Sequence, residues 1–151
     1  MLYARINLEK TNYSQLQSDW KFLSNPDIHE LNVIYKKYCE YKKFKSVMPI
    51  FDSEYTDKNT DIIGYFDNYE IVAFSLIRKY DYYNAEAVQF AWTYNNPKLR
   101  LGIRSLEHEC AVYKHLGFKF LYLGEANEYK SKINGFEILG PISNFCNNEK
   151  K

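Results

Sequence analysis

Trp92-Thr93-Tyr94-Asn95-Asn96-Pro97-Lys98-Leu99-Arg100-Leu101-Gly102-Ile103-Arg104-Ser105 is the stretch whose reading decides the fold. A strand reaching Tyr94 enters Asn95-Asn96-Pro97 and then a basic, glycine-bearing turn. A helix is expected from there to His115-Leu116, ended by Gly117, with Phe118 to Leu123 as the next strand. Strand, helix and following strand make a crossover, which sets two strands parallel inside an otherwise antiparallel sheet. A helix that starts after such a turn presents backbone N–H groups and the positive end of its dipole, a combination suited to a phosphate.

Within that helix, Ile103, Leu106, Cys110 and Tyr113 recur at helical spacing and should face the sheet, with Ser105 capping the start. Upstream lies a meander: Asp61 to Phe66 as a strand, Asp67-Asn68 as a two-residue turn, Tyr69 to Arg78 as the next strand. Tyr80-Asp81-Tyr82 turns the chain again, and Tyr83 to Tyr94 supplies a long strand. Leu2 to Leu8 alternates like a first strand, with Leu2, Ala4, Ile6 and Leu8 on one side. Asn25-Pro26-Asp27 reads as a helix start, with Pro26 near the first helical position. Val47 to Asp61 is a connection with at most one helical turn. Downstream, Tyr129 opens a second basic segment, Lys130-Ser131-Lys132, that runs into Gly135-Phe136-Glu137-Ile138-Leu139.

Composition narrows the function classes. A net charge of +1 supplies no global field for nucleic acid, so any basic site must be local. With 46% hydrophobic and 26% charged residues in 151, the chain reads as one globular domain over residues 1–142 with a polar tail over 143–151. The longest apolar run, Ile71 to Ile77, has a strand's length, so no membrane partner is expected. Cys39, Cys110 and Cys146 are odd in number and far apart, which fits a reducing, cytoplasmic setting, with Cys110 as a core thiol. His29, His108 and His115 lack companions at metal-ligand spacing, so no metal is expected.

The element order and the residues Tyr94 to Glu107, Leu116 to Gly124 and Tyr129 to Lys132 resemble the GNAT superfamily of N-acyltransferases, from Asp61 to Pro141. Within it, the likeness is to the C-terminal domain of arginyl-tRNA–protein transferases and related aminoacyl transferases. The resemblance implies an α/β (α+β) fold: a mixed, mostly antiparallel sheet with a parallel pair, flanked by helices. It also implies a donor-phosphate site from Arg100 and Leu101 through the N–H groups of Gly102, Ile103, Arg104 and Ser105, with Lys130 and Lys132 beside the same anion. The donor's acyl group would lie where the parallel strands splay. Plain readings stand beside these: a turn glycine at 102, solvated surface arginines, and an exposed lysine face. The sequence departs from the family's acyl-CoA loop, placing Leu99 at its Gln/Arg position and Arg104 at its final small one.

Acyl transfer needs the acceptor amine deprotonated and the leaving group protonated. Glu86 is the candidate base and Tyr129, by the family's habit of a Tyr before a Gly-Phe pair, the candidate acid. The expected activity is N-acyl transfer from acetyl-CoA or another acyl-CoA, with aminoacyl-tRNA as the alternative donor, to a small-molecule or peptide amine. Two other readings stay open. In one, Tyr35 to Lys45 interleaves lysines with rings that hold a nucleic acid; the alternative there packs Tyr38 and Tyr41 inward with the lysines in water. In the other, a decayed donor loop leaves a non-enzymatic binding module.

Overall fold

Residues 2–44, 49–126, 128 and 130–140 are described in the computed structural model. Their strands and α-helices are β1 (Tyr3–Asn7), β2 (Trp20–Phe22), α1 (Ile28–Lys42), α2 (Asp52–Thr56), β3 (Thr60–Asp67), β4 (Glu70–Lys79), β5 (Asn84–Trp92), α3 (Leu101–His115), β6 (Phe120–Glu125) and β7 (Phe136–Gly140). The strands form one mixed, mostly antiparallel sheet in the order β2-β3-β4-β5-β6-β1-β7, with β5 and β6 parallel. Two compact units share this chain, one from residues 1–15, 80–87 and 105–151, the other from 16–79 and 88–104. Strand β5 and helix α3 contribute to both. The tail from Ser143 lies outside the described residues.

The second unit is built on the β3–β4 hairpin. Its core joins Leu31 and Ile34 of α1, Tyr55 of α2, Ile62 of β3, Phe74 and Leu76 of β4, and Ala91 of β5. Each buried Leu, Ile and Phe side chain among these contributes about 1.5–3 kcal/mol relative to exposure. The hairpin turn is Asn68-Tyr69, one residue later than the sequence suggests, with φ of 51° and 68°. Two successive positive φ angles match the right-handed twist of the flanking strands, and this demand overrides the bulk of Tyr69.

Helix α1 begins at Ile28 because the Asp27 carboxylate accepts from the Glu30 N–H at 3.2 Å. Asp27 is therefore the cap, and Pro26 stands before the helix instead of inside its first turn. At the other end Lys43 takes a left-handed conformation, φ 57°, and the N–H groups of Lys43 and Phe44 fold back on the carbonyls of Glu40 and Cys39. That Schellman-like closure carries Phe44 onto Tyr38, edge to face at 6.0 Å. Strand β2 has no counterpart in the sequence reading. Its three residues pair with Tyr65, Gly64 and Ile63, too few to show an alternation.

In the first unit β1 lies between β6 and β7, antiparallel to both. Ala4, Ile6 and Leu8 are buried as their alternation requires, whereas Leu2 is exposed. Arg5 clamps the three strands: its Nε donates to Glu137 at 2.8 Å and its guanidinium lies 3.8 Å over Phe120. Gly135, at φ +81°, brings its carbonyl to the Asn7 N–H at 2.8 Å. The parallel register runs Asn84↔Phe120, Ala85↔Leu121, Glu86↔Tyr122 and stops there, although β5 continues to Trp92 and β6 to Glu125.

Candidate functional site

After Trp92 the chain turns at Tyr94, φ 59°, and Pro97 opens a single 3-10 turn, Pro97–Leu99. Proline suits that position because its missing N–H has no partner to lose. Arg100, φ 51°, then reverses the backbone, and α3 starts at Leu101, whose side chain is buried. The left-handed residue is thus Arg100, and Gly102 is not a turn glycine but part of the first helical turn. Ser105 is the fifth helical residue and buried, which rules it out as the cap.

The expected cradle from Gly102 to Ser105 is shortened accordingly. The Arg104 N–H donates to the Arg100 carbonyl at 3.1 Å, an ordinary helical bond, so that amide is taken and the positive end of the helix lies at Leu101 to Ile103. Lys98, Arg100 and Arg104 are exposed around this turn, and Arg104 Nη1 reaches back to the Leu99 carbonyl at 3.2 Å. A guanidinium tethered by one of its five donors still offers the rest to an anion.

The other predicted residues fall in the first unit. Glu86 is half-buried on β5, where the Tyr80 hydroxyl donates to its Oε1. Lys130 donates Nζ to the Leu123 carbonyl at 3.3 Å, and burial pushes its pKa down against the opposing pull of Glu125. Lys132 is exposed. Tyr129 lies outside the described residues, as does Cys146. Tyr113 is fully buried and packs edge to face on Phe118, a core role. Cys110 is likewise buried, and desolvation pushes its thiol pKa up, away from the thiolate a nucleophile needs.

Three features escaped the sequence reading. His108 and Glu109 are buried on α3, at 1% and 3% exposure, and burial lowers the His108 pKa to about 4. Tyr41, expected inward, is 61% exposed. Its ring stacks on Tyr94 at 3.8 Å with 16° between planes, while Tyr38 lies parallel to Tyr94 at 6.1 Å and Trp92 is tilted against it at 4.3 Å. The Trp92-x-Tyr94 spacing was a signal, since alternate strand residues share a face, but the turn at Tyr94 decides where its ring goes. A groove of about 510 Å³ also runs along α1, lined by Tyr35, Lys36, Cys39, Glu40, Phe44 and Ile50 among others.

Among the described residues no cluster of three or more His, Cys, Asp or Glu is placed to hold a metal ion. No described helix is long and apolar enough to cross a membrane.

No protein-family model and no curated protein matches the sequence. Solved structures do match the fold. L-PGS from Bacillus licheniformis aligns over 83% of this chain and 46% of its own, with a TM-score of 0.63 and 18% identity. Saccharomyces cerevisiae N-myristoyltransferase with bound myristoyl-CoA aligns over 91% and 46%, with a TM-score of 0.65 and 9% identity. A GNAT-family protein from Novosphingobium aromaticivorans aligns over 90% and 58%, at 0.60 and 16%. The chain therefore has a GNAT-like fold and spans about half the length of these structures.

Proposed function

We propose that this chain is an N-acyltransferase that moves an acyl group from a phosphate-bearing donor to an amine. One observation carries the reading: a GNAT-like crossover in which a turn bearing Lys98 and Arg100 leads straight into α3, whose fourth residue is Arg104. Anionic phosphate beside the start of α3 would gain the helix dipole and guanidinium forks together. Lys130 and Lys132 are retained as further donor contacts. Their amino groups differ in commitment, since Lys130 already donates to Leu123 and Lys132 does not share that bond.

In the proposed reaction the amine lone pair attacks the donor carbonyl directly. The amine's proton passes to Glu86, through water where needed, and the leaving thiol or ribose hydroxyl takes a proton from Tyr129. No covalent enzyme intermediate is involved. Leu99 and Arg104, where an acyl-CoA loop has Gln/Arg and a small residue, favour an aminoacyl donor over acetyl-CoA. The acceptor is a small-molecule or peptide amine.

Isothermal titration with acetyl-CoA, CoA and a non-hydrolysable aminoacyl-adenosine tests this. Heat with at least one of the three, weakened tenfold or more by the Arg100→Ala/Arg104→Ala double variant, supports the reading. Silence with all three counts heavily against it.

A further inference from the structure

Tyr41 is a large ring left 61% exposed at the C-terminal end of α1, yet it is not loose. One face is pressed on Tyr94 at stacking distance, and Tyr94 is in turn backed by Trp92 and flanked by Tyr38. The positive φ of Tyr94 turns the chain there, and the Schellman-like end of α1 places Phe44 against Tyr38. The result is a rigid pile of rings whose outermost member is exposed. Stacking on a ring already immobilised by its neighbours costs little conformational entropy.

The charge around it is of one dominant sign. Lys37 precedes Tyr41 by four residues and so stands on the same helix face, and Lys42 adjoins it in sequence; both are exposed. Glu40 is the neighbouring exposed carboxylate. Aromatic platform and flanking cations together fit a planar base carrying phosphates on both sides. A duplex hides its base faces, so the occupant must be unpaired.

We propose that Tyr41, Lys37 and Lys42 form a binding site for single-stranded nucleic acid, with a base stacked on Tyr41 and adjacent phosphates met by the lysines. The site lies wholly within the unit that carries the Arg100 turn. It stands apart from acyl transfer, because binding is read with no acyl donor present.

Fluorescence anisotropy of labelled oligoadenylates, in RNA and DNA form and about 12 nucleotides long to cover the span of a typical single-strand site, provides the test. Two phosphate contacts predict a slope of log K against log salt of about −1.4, on the order of −0.7 per contact. Tyr41→Ala should weaken binding about tenfold or more, the loss expected for one stacked base, while Tyr41→Phe keeps it. Binding of either strand with that pattern supports the site. Absence of binding, equal affinity of Tyr41→Ala, equal competition by the matching duplex or by anionic phosphatidylglycerol vesicles, or full displacement by CoA would each overturn it. Tyr41 is exposed, so its substitution leaves the fold intact, and far-ultraviolet circular dichroism of each variant verifies this.

Discussion

Protonation of His108 should loosen the fold between neutral pH and pH 5. The side chain is 1% exposed on α3, and burial penalises its charged form, holding its pKa at about 4. In the unfolded chain the same imidazole titrates at roughly 6.5. Above that value both states are neutral, and His108 contributes no pH dependence. As pH falls through 6.5 the unfolded chain takes up a proton that the folded chain refuses, so stability falls until the folded group also titrates near pH 4. Linkage gives a loss of about 2 kcal/mol by pH 5, against about 0.2 kcal/mol at pH 7. For a chain of this length that corresponds to a Tm drop of about 4–8 °C.

His108→Gln keeps a side chain with donor and acceptor but cannot titrate. Thermal melts of both proteins from pH 8 to pH 5 should show the wild type falling and the variant nearly flat, apart from what is common to the two. Buried Glu109 and the depressed carboxylates Asp81 and Glu137 are present in both chains, so the difference isolates the imidazole. A parallel decline in both proteins, or a flat wild type, would show that His108 is not held neutral by burial.

Three backbone substitutions probe the start of α3, the turn before β7 and the end of α1. Gly102→Ala should stabilise the protein by about 0.5–1 kcal/mol in urea unfolding, because Gly102 is helical and a Cβ there meets no atom within 4 Å. If donor affinity falls in the same variant, the donor approaches the Gly102 backbone closely; an unchanged affinity removes Gly102 from the cradle. Gly135→Ala should destabilise by about 2 kcal/mol or more, since a Cβ at φ +81° would sit 2.4 Å from the Asn7 oxygen. Lys43→Gly should raise the urea midpoint by about 1 kcal/mol equivalent, relieving the left-handed lysine that ends α1.

The first strand, the crossover and the Gly117 helix end were legible in the chain, and three other turn positions were not. Strand β1 declares itself because burial on one face imposes a period of two, which Ala4 and Ile6 obey, whereas β3 and β4 are buried on both faces over Ile62–Tyr65 and Val72–Ile77 and read as continuous runs. The parallel pair follows from the length of the connection between β5 and β6 and needs no side-chain detail. Turns were read at Asp67-Asn68 and around Gly102, and here Tyr69, Tyr94 and Arg100 carry positive φ angles. Each is a residue whose local preference is overruled by what its neighbours need: hairpin twist at Tyr69, the Trp92–Tyr94–Tyr41 pile at Tyr94, the Pro97 carbonyl bond at Arg100. Helical period failed in the same way, assigning Tyr41 inward because the ring that covers it comes from another element. It also assigned α3 a narrow apolar stripe, whereas burial extends to Ser105, His108 and Glu109, polar residues that vote for solvent in any periodicity count. The misplaced elements are therefore those that shape the candidate site. In the proposed reading, the turn set by Arg100 would hold the anion through the side chain of the same residue that bends the backbone. A glycine turn could offer only its amides. Replacing Arg100 by Gly should accordingly preserve the turn while removing the guanidinium, separating the two contributions in one titration.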